Sequence, residues 1–143
     1  MITKEELKEH YRLVCEIHDL QEEIKELQSL QQAIGAVKFG GVGGGSGNSD
    51  AIGSKLAKLN DLMEYYVLKI EERIVQQEKI EKAIETLPVT ERMLMRYRYI
   101  DGLDWVNVAA NLCYGWTQTH EIHGRALEML KSEHNRIRKS DNI

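Results

Sequence analysis

The side chains best suited to specific recognition lie in one short stretch, WTQTHEIH, at residues 116–123. The amide of Gln118 can donate and accept a hydrogen bond, and the carboxylate of Glu121 can accept one. These groups can pair with adenine and cytosine in a DNA major groove, where Thr117 can contact a phosphate or a thymine methyl. The stretch is therefore a candidate nucleic-acid interface, provided that a helix places it in the major groove. The candidate contacts are Trp116, Thr117, Gln118, His120, Glu121, Arg125, Lys131, Arg136 and Arg138.

Metal chemistry is the competing interpretation of the same stretch, because His120 and His123 flank Glu121. The zinc-binding helix of metalloproteases needs histidines four apart, with the glutamate next to the first. Here the histidines are three apart and no third ligand is evident. No carboxylate pair or nucleophile with its base occurs elsewhere at a convincing spacing. We therefore expect no catalytic residues, no metal and no cofactor, and the chain is not expected to be an enzyme.

Three short helices must position this stretch, and the first begins after Pro88. A proline fits a helix boundary without losing a needed hydrogen bond. Thr90 is the predicted N-cap of a helix that runs to Tyr99. The pair Asp101 and Gly102 then predicts a turn.

The second and third helices of this group have the pattern of a helix-turn-helix. Asp104 can cap a helix from Trp105 to about Leu112, in which the small Ala109 allows a close helix crossing. A turn at residues 113–115 follows, and the third helix begins near Trp116 or Thr117. In such a motif the third helix lies in the major groove. Its predicted inward-facing residues are Thr119, Ile122, Ala126 and Leu130.

Two long helices are predicted before this group. Thr3 and Glu6 can form a capping box at the start of the first. Apolar residues then recur at three- and four-residue spacing, which predicts an amphipathic helix with a coiled-coil-like seam. The second helix is about 35 residues long. The apolar positions are Leu13, Ile17, Leu20, Ile24, Leu27 and Ile34, then Ile52, Leu56, Leu59, Met63, Tyr66, Ile70, Ile74, Ile80, Ile84 and Leu87.

A glycine-rich loop at 35–50, with seven glycines in sixteen residues, is expected to join the two helices. It lacks the Gly-Lys-Ser/Thr ending of a phosphate-binding loop, so a flexible connector is the better interpretation. The helices can then fold back as an antiparallel hairpin. One seam on each helix buries little apolar surface, so we expect a second copy of the chain to supply further contacts. Of Tyr65 and Tyr66, one is expected to be a core residue.

The net charge of −4 argues at first against a nucleic-acid partner. Residues 1–87, however, carry 11 basic and 16 acidic side chains, whereas 88–143 carry 8 basic and 7 acidic ones. The C-terminal part is therefore slightly basic, and its cations are clustered. These clusters either neutralise phosphates or form an ordinary solvated face. They comprise Arg92, Arg96 and Arg98, then Arg125, Lys131, Arg136, Arg138 and Lys139.

The cysteines and the N-terminal residues indicate a cytoplasmic protein. Cys15 and Cys113 form no CxxC pair, and we expect both to be reduced, half-buried thiols. The N-terminus lacks the basic start and apolar middle of a secretory signal, and no run of about 18 apolar residues occurs. We therefore expect no membrane association.

A family resemblance is carried by residues 87–130, and it is closest in the run from Trp105 to Leu127. This region resembles region 4 of the sigma-70 factors and is similar to the ArpU-like and RinA-like phage late-gene activators. Cys113 stands where these sequences often have a turn glycine, and Gly115 where they often have a capping serine, so Thr117 is a further candidate cap. The matching residues are Glu91-Arg92, Arg98-Tyr99, Gly102-Leu103, Ala109, Leu112 and His123-Gly124-Arg125-Ala126-Leu127.

The resemblance implies a phage or prophage transcription regulator that binds double-stranded DNA in the host cytoplasm, with RNA polymerase as a second candidate partner. The expected fold is all-α: a coiled-coil-like helical hairpin over 1–87 that forms homo-oligomers, then a sigma-70 region 4-like helix-turn-helix domain over 88–143. Two alternatives remain open. One is a small terminase-like DNA-packaging protein, and the other is an interaction adaptor that binds no DNA. Two roles also remain open for Arg125, which is expected either to bind a phosphate or to pair with an acidic side chain inside the domain.

Overall fold

The computed structural model describes residues 2–40 and 49–142, and all regular structure in these ranges is helical. The all-α prediction is thereby confirmed for the described ranges. None of the helices found there is long and apolar enough to cross a membrane. The helices are α1 at Lys4–Gly40, α2 at Ser49–Ile84, α3 at Val89–Met95, a π-helical turn at Arg96–Ile100, α4 at Trp105–Leu112 and α5 at Trp116–Asp141.

The chain divides into two compact units. The first unit consists of Met1–Cys15 and Glu72–Ile143, and the second consists of Glu16–Glu71. The first unit thus holds the start of α1 and the end of α2 together with the C-terminal helices, because apolar residues of all these segments share one core. The predicted boundary at residue 87 does not coincide with this division. Core members are Ile2, Leu7, Ile80, Ile84, Leu87, Leu94, Met95, Tyr99, Ile100, Val108, Ile122, Ala126 and Leu130.

The start of α1 is fixed by the predicted capping box, which is confirmed. The Thr3 N–H donates to Oε2 of Glu6 at 2.7 Å, and the Glu6 N–H donates to Oγ1 of Thr3 at 3.2 Å. Glu6 also accepts from Nζ of Lys79 at 2.7 Å, and this hydrogen bond is the main cause that lowers its pKa. Nδ1 of the buried His10 lies 3.0 Å from Oε1 of Gln76. These contacts tie the first turns of α1 to the end of α2.

The predicted N-cap at Thr90 is wrong. Helix α3 begins at Val89, and Pro88 occupies the capping position with no side-chain cap. The Pro88 carbonyl accepts from the Arg92 N–H at 2.9 Å, which places Thr90 inside the first turn. A proline suits this boundary because its fixed φ is compatible with a helix start and it has no N–H to satisfy.

The predicted turn at Asp101 and Gly102 is confirmed and explains why glycine occupies the second position. Gly102 has φ +71°, a left-handed conformation that side chains with a Cβ atom rarely adopt. A Cβ atom there would also lie 2.5 Å from Cγ1 of Val14 on α1. The close approach of α1 therefore requires a glycine at this turn.

In the second unit, the seam of α1 follows the sequence prediction more closely than that of α2. Ile17, Leu20 and Ile24 on α1 are buried. Leu59 on α2 is buried, whereas Leu56 and Met63 are exposed.

Polar contacts between the two helices also occur within the second unit. Tyr65 donates to Oε1 of Glu16 at 2.8 Å, while its neighbour Tyr66 is half-buried. Nζ of Lys58 lies 3.4 Å from Oε1 of Glu23. Within this unit, the earlier residue of α1 thus contacts the later residue of α2, and the later residue of α1 contacts the earlier one of α2.

The predicted glycine-rich loop is too long at both ends. Helix α1 continues to Gly40 and α2 begins at Ser49, so residues 35–40 and 49–50 are helical. A single glycine such as Gly35 costs a helix only about 1 kcal/mol relative to alanine. The residues that follow it, AVKF, can therefore extend the helix. Residues 41–48, the remainder of the predicted loop, lie outside the described residues.

Candidate nucleic-acid interface

The candidate interface is built on α4 and α5 and the three residues between them. Oδ1 of Asp104 accepts from the Asn107 N–H at 2.8 Å, which confirms the predicted cap of α4. Ala109 is buried, as its proposed place at a helix crossing requires. Helix α4 ends at Cys113, whose φ of 59° and ψ of 34° are left-handed. The thiol is exposed, so the expectation of a half-buried Cys113 is wrong.

Helix α5 begins at Trp116, and Thr117 does not cap it. Gly115 holds the capping position in an extended conformation and makes no side-chain cap. Its carbonyl accepts from the Thr119 N–H at 3.0 Å and from the Thr119 hydroxyl at 2.8 Å. Thr117 therefore stands in the first turn with its side chain exposed.

The inner face of α5 contains the residues that the sequence predicted. Their positions repeat every three or four residues, which keeps them on one side of the helix. All four are buried, and the polar member, Thr119, has its hydroxyl satisfied by the Gly115 carbonyl. These residues are Thr119, Ile122, Ala126 and Leu130.

Most of the proposed contact residues lie on the exposed surface of α5, where they form two neighbouring edges. Trp116 is 57% exposed, and Thr117, Gln118 and Glu121 are also exposed. At about 100° per residue, Thr117 and Glu121 lie within about 40° of each other. Gln118 lies about 60° beyond Glu121 and shares its side with Arg125, seven residues later. Thr117 and Glu121 therefore form one edge, and Gln118 and Arg125 form its neighbour.

His120 was expected to face solvent, but it is half-buried and packs against two indoles. Its ring centroid lies 4.7 Å from that of Trp105 and 4.5 Å from that of Trp116. The buried Nε2 of His120 has no hydrogen-bond partner among the described residues. The expected solvent-facing placement of His120 is therefore wrong, and its contact with DNA stays a prediction. It supports Trp116, whose ring packs against it.

His123 also has a structural role. Its Nε2 lies 2.8 Å from the hydroxyl of Tyr99, and its ring meets Trp105 edge-on at 4.6 Å. Burial lowers its pKa from 6.5 to about 4, and the charges of His120, Arg98 and Lys4 add to this effect. The ring is therefore neutral at pH 7. Within residues 2–40 and 49–142, no cluster of three or more metal-ligating side chains occurs.

The first arginine cluster is largely occupied by contacts within the protein. The guanidinium of Arg98 lies 3.6 Å from the ring centroid of Tyr11 and 4.5 Å from that of Trp105. Arg98 also donates to the Leu103 carbonyl at 3.1 Å. Arg96 lies 3.6 Å from Oε1 of Glu81. Arg98 therefore holds α1 against the start of α4.

The basic residues of α5 are exposed, but they do not form one surface. Arg125, Lys131, Arg136 and Arg138 make no ion pair with any part of the chain that the structure describes. Arg136 lies on the side of Gln118 but about 27 Å further along the helix. Lys131 and Arg138 lie about 140° and 160° around the helix from Gln118. Only Arg125 is thus close to Gln118 on the same side.

Sequence reasoning missed the cluster in which Arg98 lies over the rings of Tyr11 and Trp105. Tyr11 lies far from the other two in the chain, so no local pattern links them. A signal existed only for the two histidines that pack against Trp105, because the three-residue spacing of His120 and His123 places both rings on one side of a helix. That side meets Trp105.

No family model, curated protein or solved structure matches this chain.

Proposed function

We propose that this chain is a sequence-specific DNA-binding transcription regulator of phage or prophage origin, related to the sigma-70 region 4-like late-gene activators. The main support for this proposal is the pattern of burial in the first two turns of α5. Their inner residues are buried, and their outer residues Thr117, Gln118 and Glu121 are exposed. Helix α4, the left-handed Cys113 and the short connection to α5 support the interpretation as a helix-turn-helix.

The proposed division of roles follows the two edges of α5. Thr117 and Glu121 form the main reading edge, and Gln118 contacts an adjacent base. Arg125 binds a phosphate, because it is exposed, forms no ion pair in the described ranges and lies on the side of Gln118. A major groove is about 12 Å wide. Arg136, about 27 Å along α5 from Gln118, therefore reaches only phosphates beyond that groove.

The N-terminal helices are proposed to form the antiparallel hairpin that mediates homo-oligomerisation. Within the second unit, Leu56, Met63 and Val67 of α2 are 37%, 43% and 54% exposed. Their seven- and four-residue spacing places them on one side of the helix. Burying such a side against a second copy removes apolar surface from water. A Met63→Ser, Val67→Ser variant should therefore shift the mass measured by light scattering towards the monomer.

The DNA-binding proposal is tested by fluorescence anisotropy with duplexes selected from the genome that encodes the chain. The wild-type protein should bind a preferred duplex, and its affinity should fall steeply as the salt concentration rises. Gln118→Ala and Glu121→Gln should change the sequence preference. Arg136→Gln combined with Arg138→Gln should weaken binding to all sequences equally.

A charge-matched control separates base reading from general electrostatics. Glu26 on α1 is exposed, so Glu26→Gln changes the net charge as Glu121→Gln does. The control should leave the sequence preference unchanged. Equal effects of Glu121→Gln and Glu26→Gln would contradict the reading edge. Uniform affinity for all duplexes would favour the DNA-packaging alternative, and retention of RNA polymerase without any DNA binding would favour the adaptor.

A further inference from the structure

A groove of about 490 Å³ opens beside α5 in the first unit. The first turn of α1 forms one wall and the middle of α5 forms the other. Ile2, Leu7 and Leu130 belong to the buried core and contribute apolar lining. Lys4 and Lys131 also line it, one from each helix.

Gly124 forms part of this groove and has no evident role inside the protein. A Cβ atom added there would have no other atom within 4 Å, and the residue lies in the middle of α5. Glycine is the least favourable residue for a helix interior after proline. A glycine that the fold does not require can instead permit close approach of a partner backbone.

The groove continues the reading edge proposed above. Gly124 follows Glu121 by three residues and Thr117 by seven, so it lies within about 60° of both around the helix. A strand of DNA read by Thr117 and Glu121 would pass next to this position. The groove therefore lies where the sugar-phosphate backbone flanking the major groove would run.

The groove is lined by two lysines and two glutamates, so binding of a phosphate backbone depends on the two lysines alone. Lys4 and Lys131 are exposed and form no ion pair in the described ranges. The charge of Lys4 is also one of the causes that lower the pKa of His123, after burial and the charges of His120 and Arg98. Glu5 and Glu128 line the groove as well. The lysines must therefore contact phosphates directly if they are to outweigh these carboxylates.

We propose that the groove between α1 and α5 receives the sugar-phosphate backbone of one DNA strand, with Lys4 and Lys131 binding phosphates and Gly124 allowing the strand to approach α5. This inference rests on the proposed DNA-binding function and adds the first turn of α1 to the interface. In this proposal Lys4 binds a phosphate and Gly124 allows close approach of the strand, and no residue of α4 has either role.

Gly124→Ala tests the close approach. The new methyl group enters open space in the free protein, and alanine favours the helix, so the thermal midpoint should rise. Affinity for the preferred duplex should fall by about tenfold, because the methyl group meets the DNA backbone. Gly53→Ala is the matched control, since Gly53 is also helical and has nothing within 4 Å of an added Cβ. It should raise the midpoint and leave affinity unchanged.

Lys4→Gln tests the phosphate contact in the full chain. Affinity should fall by about three- to tenfold for all sequences, and the slope of log affinity against log salt should decrease by about 1. Lys55→Gln, an exposed lysine on α2, makes the same charge change and should leave the slope unaltered.

The outcomes separate this inference from the function on which it rests. If wild-type protein binds a preferred duplex but Gly124→Ala and Lys4→Gln behave like their controls, the groove proposal is overturned and the DNA-binding proposal stands. If wild-type protein binds no duplex at low salt, both are overturned. Weakened binding by both variants with intact controls supports the groove.

Discussion

Replacing Cys113 with glycine should stabilise the protein, because Cys113 holds a left-handed conformation at the end of α4. A residue with a Cβ atom costs roughly 1–2 kcal/mol in this conformation. Glycine avoids that cost but loses about 0.5–1 kcal/mol more conformational entropy on folding. The thiol is exposed, so its removal sacrifices little packing. The net gain is therefore about 0.5–1 kcal/mol, or about 3 °C in Tm for a chain of this size.

The assay is urea denaturation followed by circular dichroism, with a series of variants at the same position. Cys113→Ala keeps the left-handed cost and should match the wild type closely. Cys113→Asn should lie between alanine and glycine, because asparagine tolerates this conformation. A glycine variant no more stable than the alanine variant would refute the backbone explanation.

Three further predictions concern the same unit. Ala109→Leu should lower the free energy of unfolding by about 1–3 kcal/mol, since Ala109 is buried in the middle of α4; an unchanged urea midpoint would contradict a close crossing. Asp104→Ala should cost about 1 kcal/mol through loss of the α4 cap, whereas Asp104→Asn should retain most of it. Burial lowers the pKa of His123 to about 4. As the pH falls, His123 is therefore protonated in the unfolded state before it is protonated in the folded state. The free energy of unfolding should decline between about pH 6.5 and pH 4. His123→Gln should reduce this decline in urea midpoints, leaving the contribution of His10, whose pKa burial also lowers.

Local signals predicted the helix starts wherever a side chain makes the cap. Thr3 with Glu6, and Asp104 with the Asn107 N–H, form the bonds that their spacing indicates. Pro88 also marked the start of α3 correctly, but the predicted cap was wrong, because Pro88 holds the capping position and no side chain caps the helix.

Contacts between distant segments could not be predicted from periodicity. Arg98 has the same sequence signature as any exposed arginine, and its burial against Tyr11 depends on how α1 packs in the first unit. His120 was expected on the exposed edge because its position on α5 allows it. Instead, Trp105 and Trp116 both pack against its ring, and it is half-buried. The inner face of α5, by contrast, follows from spacing alone.

Sequencing of the duplex fragments that this chain selects from a library tests whether the exposed edge of α5 reads DNA. A genomic library and a random-sequence library should be used at two salt concentrations. We expect an enriched motif, with affinity lost as salt rises and a changed motif for Glu121→Gln. Retained fragments with the composition of the input library, or no retention at low salt, would contradict the claim that the exposed edge of α5 reads DNA.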